Sequence, residues 1–446
     1  MSTQSLKGQL RKLTLPVFIE IALVMLLGAV DTVMLSRYSD NSVAAVGLDN
    51  QLMSLIFLVY QFFSMGAAIL CAQYIGGRLE KRLVQVVGVA LIVNLLVGAS
   101  VSVALYLMAE PILRFMGLRP ELMGDGLVYI KITGSMSFFQ ALSLTFSASL
   151  RSAGKVIYPM SVTGIVNILN IIGNYVLIFG KFGFPQLGVE GAALSTAISR
   201  GVAMLLLCII HFRVHIRKFP MKYFRPFPWS EFRNLLHIGI PAMSEELSYC
   251  LSQVAITYFI NRIGNEALAA RTYCVNMIMF TYLFCVSITQ AGDILVGHLV
   301  GRLRHRAAFV LGNYFYRRAL VVTLSASMVL AIFGKSILSL LTNNPEIISM
   351  GFWVLVVDLF LEYGRVSNIF ACGTLRATGD AVYPVIVGII FQWSIAVGLS
   401  YIIGIPLGYG LIGMWVGFAL DENIRGIILK RRWRSLKWQT KGFVKA

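Results

Sequence analysis

Runs of about 20 apolar residues recur from one end of the chain to the other, separated by short polar loops. That is the length an α-helix needs to cross a hydrocarbon core of ~30 Å. The pattern predicts spans at 14–36, 50–74, 84–108, 124–149, 156–180, 188–211, 236–261, 270–297, 308–334, 347–372, 382–404 and 408–429. Pro111, Pro120, Pro185, Pro220, Pro345 and Pro406 punctuate their ends. The first run, Leu13 to Leu35, is too long for the apolar region of a signal peptide and lacks a small-residue cleavage site. It is read as the first span. No stretch of useful size is left over for a water-soluble domain. The predicted fold class is an all-α integral membrane protein with twelve transmembrane helices.

Composition agrees with that reading. Of 446 residues, 57% are hydrophobic and only 13% charged, with a mean hydropathy of +0.77. A soluble chain of this length needs far more charge to cover its surface. The net charge of +18 suggests nucleic acid until its distribution is examined. Alternate loops, the helix ends that adjoin them (Arg317, Arg318 and Arg425 included) and the two termini carry 28 of the 38 Lys and Arg residues, the opposite loops carry 6, and Lys131, Arg200, Arg271 and Arg365 are left inside spans. The positive-inside rule then places both termini in the cytoplasm and requires an even number of spans. The charge is an orientation signal and predicts no nucleic-acid partner. Cys71, Cys208, Cys250, Cys274, Cys285 and Cys372 contain no Cys-x-x-Cys pair and sit mostly in apolar runs, so they are read as buried free thiols.

The chain is also duplicated. An offset of 225 positions maps Pro16 to Pro241, Glu20 to Glu245, Arg37 to Arg262, Gly76 to Gly301 and Pro120-Glu121 to Pro345-Glu346. It carries Leu150-Arg151-Ser152-Ala153-Gly154, with Tyr158-Pro159, onto Leu375-Arg376-Ala377-Thr378-Gly379, with Tyr383-Pro384. One constant offset over so many irregular positions marks an internal repeat. The predicted organisation is a six-helix lobe over 1–211, a basic cytoplasmic linker over 212–235, a second six-helix lobe over 236–430 and a basic tail over 431–446. Six spans return the chain to its starting side, so the lobes share one topology, as in parallel-repeat transporters that bind substrate between their halves. A duplicated chain contains its own symmetric interface, and a monomer is expected to suffice.

Ionisable groups at membrane depth are costly, and each is a functional candidate by default. Asp31 lies well inside the first span with no base within a helical turn, and its repeat counterpart is Ile256. A carboxylate there either takes up a proton or holds a sodium ion with neutral oxygen ligands. Asn170 and Asn174, at i and i+4 in the fifth span, share a helix face and suggest such ligands. Glu20 and Glu245 are repeat equivalents, each four residues after a proline, which points to a structural role. Asp358, Glu362 and Arg365 occupy one face of the tenth span, with Arg271 and Asp293 in the eighth. Glu245, Arg271, Asp358, Glu362 and Arg365 are accordingly expected to form an internal polar network in the second lobe.

Several of these segments resemble the bacterial multidrug and toxic compound extrusion (MATE) family. The resemblance rests on Leu15-Pro16 followed by Val30-Asp31-Thr32-Val33-Met34, on Asn170, and on Leu177-Ile178-Phe179-Gly180. Leu187-Gly188-Val189-Glu190-Gly191-Ala192-Ala193, Gly239-Ile240-Pro241 with Glu245, the paired Leu-Arg loops, and Val296-Gly297-His298-Leu299-Val300-Gly301 extend it over nearly the whole chain. It implies an antiporter that exports mostly cationic, amphipathic compounds against protons or sodium ions, with no other cofactor. It also implies a cation site in the first lobe built from Asp31, Tyr129, Asn170, Asn174 and Thr196. This sequence departs at Asn174, where some members carry a second Asp, which weakens a two-carboxylate proton mechanism. In the sodium-coupled branch the tenth helix bears an Asp, but the matching position here is Arg365, so that site is not carried over. Glu362 and Glu245 are left as the carboxylates available to a cation in the second lobe.

Competing classes fare worse. No G-x-x-x-x-G-K-[ST] phosphate loop occurs, nor H-E-x-x-H or G-x-S-x-G, and the five histidines are scattered, so neither a primary pump nor an enzyme is expected. The closest rival is a flippase for a lipid-linked substrate, whose relatives have about fourteen spans where this duplication leaves room for twelve. The expected setting is the cell membrane, with lipid and small organic cations as partners.

Overall fold

The computed structural model describes residues 3–444, and among these every regular element is a helix. The first half contains α1 (Thr3–Ser36), α2 (Asp40–Gly76), α3 (Glu80–Leu107), a fourth crossing α4, α5 (Ile157–Phe179) and α6 (Val189–Ile210). The second half contains α7 (Trp229–Ile263), α8 (Asn265–Gly301), α9 (His305–Leu341), α10 (Pro345–Thr378), an eleventh crossing α11, and α12 (Gly410–Arg434). Two crossings are irregular. The α4 crossing is broken into Met123–Ser135 and Phe138–Ser152, with a bend of 45°, where the sequence predicts one continuous span. The α11 crossing runs from Val382 to Gly404 with a π-helical stretch at Gln392–Leu399.

Nine described helices are long and apolar enough to cross a membrane, and the bent α4 pair makes a tenth. The other two of the twelve, α7 and α12, carry the charged groups Glu245 and Glu246, and Asp421, Glu422 and Arg425. Such groups persist at membrane depth only where protein partners satisfy them.

The repeat is visible in the backbone. Helices α2 and α8 begin and end 225 positions apart. Left-handed residues recur at the same offset: Arg78 and Leu303 (both φ 57°), Gly154 and Gly379, Gly183 and Gly408. Two non-glycine residues held at one strained φ in equivalent turns point to conserved loop geometry rather than a local accident.

The chain packs as two compact units. One is Ile19–Gly239; the other joins the chain up to Phe18 with the chain from Ile240 onward. These limits differ from the sequence-drawn lobes. They fall inside the first helix of each half, close to Pro16 and Pro241, and the linker belongs to the first unit. There Tyr74 donates to Glu231 Oε2 at 2.5 Å and Gln85 donates to the Tyr223 carbonyl at 2.9 Å, tying 212–235 to α2 and α3. In the second unit Trp438 stacks on Trp433 with ring centroids 4.6 Å apart, so the first part of the basic tail is packed. Lys445 of that tail lies outside the described residues.

Candidate functional site

In the first unit α1, α5 and α6 bring a chain of polar side chains together. Asn174 Nδ2 donates to Asp31 Oδ1 at 2.7 Å and to Asn170 Oδ1 at 3.2 Å. Asn170 in turn donates to Thr196 Oγ1 at 3.5 Å, and Ser195 donates to the Asn170 carbonyl at 3.0 Å. The i, i+4 spacing of the two asparagines puts both amides on the buried face of α5. Asn174 Oδ1 is buried without a hydrogen-bond partner among the described residues. A buried orphan acceptor next to a carboxylate is the donor set a small hard cation takes.

Tyr129 is buried in the first segment of α4, and its hydroxyl donates to Asn50 Oδ1 at 3.3 Å. It also lies within electrostatic reach of Asp31. Asn50 escapes sequence reasoning because a lone amide in an apolar helix carries no motif. Arg200 is marked by the sequence only as a charge inside a span. It lies one turn beyond Thr196 on α6, within electrostatic reach of Asp31, Tyr129 and Tyr60. Its guanidinium stands 5.0 Å from the Phe57 ring centroid, and its Nη1 is buried without a hydrogen-bond partner among the described residues. Asp49, beside Asn50, is fully buried, with neither carboxylate oxygen hydrogen-bonded among the described residues.

The polar network of the second unit is larger than expected and divides differently. Arg365 bonds Glu362 and approaches Asp358 at 4.0 Å, while Trp415 donates to Asp358 at 3.1 Å and Thr281 to Glu362 at 3.4 Å. Glu245 does not join this group; it pairs with Arg376. Arg271 contacts no carboxylate among the described residues and instead donates to Thr257 at 2.9 Å and Gln253 at 3.0 Å. Both differences have one cause: α7 turns Glu245 toward the end of α10, and its polar residues Gln253 and Thr257 reach Arg271 first. Asp293 lies against Gly373, away from Arg271.

A second ion-pair cluster lies beyond those the sequence predicts. Arg425, counted in the sequence as a cytoplasmic charge, is buried in α12, donating to Asp421 at 2.5 Å and Glu422 at 3.0 Å. Asn368 of α10 donates to Glu422 at 2.8 Å. The i, i+4 spacing of Asp421 and Arg425 was the available signal.

A family model, MatE, matches residues 16–176 and 241–402, two segments that open 225 positions apart. The chain belongs to the MatE family. Its members are membrane transporters and not enzymes. Among relatives of this MatE chain, the uncharacterized transporter YisQ of Bacillus subtilis is 41% identical over 96% of the chain and 94% of its own length. The probable multidrug resistance protein NorM of Thermotoga maritima is 29% identical over 97% of the chain and 93% of its own length. Solved structures agree on the fold. The Vibrio cholerae MATE transporter VcmN in its bent form superposes with a TM-score of 0.90 at 18% identity, covering 98% of both chains. A MATE structure in the bent conformation gives 0.88 at 20% identity, covering 97% of this chain and 96% of that one. This MatE chain is therefore an all-α membrane transporter with twelve helices in two pseudo-symmetric halves.

Proposed function

We propose that the chain is a secondary antiporter exporting cationic, amphipathic organic compounds in exchange for protons or sodium ions, with Asp31 as the exchanging carboxylate. The observation that carries the reading is the Asp31–Asn174–Asn170–Thr196 hydrogen-bond chain, which leaves Asn174 Oδ1 unpartnered at its centre among the described residues. Relatives called probable multidrug resistance proteins support the substrate class.

Coupling follows from charge balance. An ionised Asp31 attracts either an organic cation or a coupling ion, and the site accommodates one positive charge at a time. Binding a proton or sodium ion from outside neutralises the carboxylate and releases a bound organic cation. That difference in affinity between ion-loaded and ion-free states is what coupled exchange requires. Where sodium is the ion, Asp31, Asn170 and Asn174 supply its oxygens, with Tyr129 and Thr196 as the nearby hydroxyls.

Efflux of a fluorescent organic cation from proteoliposomes tests the reading, with proton and sodium gradients imposed separately. Export driven by one gradient and lost in Asp31→Asn is the expected result. Wild-type export in Asp31→Asn, with unchanged ion dependence, sinks the role given to Asp31. Export under neither gradient redirects attention to a lipid-linked substrate.

A further inference from the structure

The duplicated halves differ at one corner, between the second and third helices of each. In the first unit the loop after α2 carries Arg78, Lys81 and Arg82 with Glu80. Arg82 pairs with Glu231 at 3.6 Å, and Lys81 lies 5.9 Å from the Tyr223 ring centroid. Phe219 and Phe224 press against α3 so closely that a Cβ on Gly88 would fall 2.8 Å and 2.2 Å from their rings. That corner is filled and carries its own acids.

The equivalent corner of the second unit is a cavity of about 560 Å³. Lys7, Arg304, His305, Arg306 and Tyr314 line it together with apolar residues that include Leu6 and Val310. The turn geometry is the same, since Leu303 repeats the left-handed conformation of Arg78. The side chains are not. At the repeat offset Glu80 becomes His305, Glu231 becomes Leu6 and Leu79 becomes Arg304. No lining residue is acidic. Among the described residues Lys7, Arg304 and Arg306 enter no ion pair. The Lys7 ammonium instead sits 4.8 Å from the Tyr314 ring centroid, whose ring also faces Arg318 at 5.5 Å.

From this convergence of bases on an open cavity, where the duplicate corner is closed and self-neutralised, we infer a binding site for a phosphate-bearing anion, read as the headgroup of an anionic phospholipid. Three bases without an acid favour a phosphate. The apolar lining gives room for the first carbons of a lipid glycerol and acyl chain. The position, at the membrane edge on the face the loop charges assign to the cytoplasm, is where basic pockets meet anionic headgroups.

Native mass spectrometry of the detergent-purified full chain tests this, titrating phosphatidylglycerol and phosphatidylcholine in separate arms. A third arm follows thermal unfolding with inorganic phosphate at constant ionic strength. Wild type is expected to retain phosphatidylglycerol in preference to phosphatidylcholine. The double variant Arg304→Gln/Arg306→Gln should weaken that retention by at least about tenfold. The matched variant Arg78→Gln/Lys81→Gln removes the same charge from the closed corner and should stay within about twofold. All four residues are exposed, so both variants are expected to fold. Equal retention of the two lipids together with no phosphate stabilisation that depends on Arg304 and Arg306, or equal losses in the two variants, overturns a site at this corner. Stabilisation by inorganic phosphate that vanishes in Arg304→Gln/Arg306→Gln, without selective lipid retention, upholds the phosphate chemistry and replaces the lipid with a soluble source.

Discussion

Glu245 accepts a hydrogen bond from the Arg376 guanidinium, and this pair repeats, 225 positions on, the pairing of Glu20 with Arg151. Each ties the first helix of a half, just past its proline, to the far end of the fourth. The two are not equally strong. Arg151 stands 3.4 Å from Glu20 and is 29% exposed, whereas the Arg376 side chain is 18% exposed. The Glu245–Arg376 pair is half-buried, and removing one partner leaves the other charge poorly compensated, at a cost of about 1–3 kcal/mol. Glu245→Ala should therefore lower the unfolding temperature in detergent clearly, and Glu20→Ala less, by about 1–2 kcal/mol in stability terms. Adding Arg376→Ala to Glu245→Ala should recover part of the loss. A double variant less stable than the single one would show that the pair is not the reason.

Asn174 holds Asp31 and Asn170 in one geometry. Asn174→Ala leaves the carboxylate in place but removes the donor that orients it. Loss of such a supporting partner typically weakens an ion site by about 10- to 100-fold. The coupling-ion concentration giving half-maximal efflux should rise accordingly, with the protein still folded. Asn174→Asp places a second carboxylate beside Asp31 and should restore ion dependence better than alanine does. An unchanged ion dependence in Asn174→Ala would remove Asn174 from the site.

Spans, repeat and the core of this site were legible because each rests on local spacing. Asp31 announced itself as a charge among apolar residues, and Asn170 with Asn174 as a pair on one helix face. What escaped depended on contacts distant in sequence. The predicted last span, 408–429, contains Arg425, and its spacing from Asp421 points to a helical ion pair; what the sequence cannot show is that Asn368 of α10 satisfies the neighbouring Glu422. Charge at membrane depth groups Glu245 with Glu362, although its partner Arg376 stands in the repeated Leu-Arg loop motif. The break in α4 at residues 136–137 lies in the small, polar run Thr133-Gly134-Ser135-Met136-Ser137, a kink signal that the predicted continuous span passes over.

Arg200 is a fixed positive charge near the carboxylate that the proposed mechanism uses to bind mobile ones. It opposes every cation that approaches Asp31, whether proton, sodium or substrate. Arg200→Gln should therefore tighten cation binding at Asp31. The effect expected is on the order of 1 kcal/mol, roughly fivefold in half-saturating concentration. Arg200→Lys keeps the charge and should stay near wild type. Substrate and ion titrations of efflux distinguish this from a packing role against Phe57, for which Lys and Gln would behave alike.

Helices α10 and α12 cross where Gly364 leaves no room for a side chain. A Cβ there would lie 2.5 Å from the backbone nitrogen of Asn423 and 2.6 Å from the carbonyl carbon of Glu422. These are backbone atoms and cannot rotate aside. Small residues at such crossings let membrane helices approach closely. That approach brings Asn368 within 2.8 Å of Glu422 and so helps satisfy the charged cluster of α12. Gly364→Ala should cost about 1–3 kcal/mol through forced separation of the two helices. Gly47 supplies the comparison, because a Cβ there meets nothing within 4 Å. Gly47→Ala should be neutral or slightly stabilising, by up to about 1 kcal/mol. Thermal unfolding of both variants in one detergent decides the matter, and equal melting temperatures would mean that the α10–α12 crossing yields without cost.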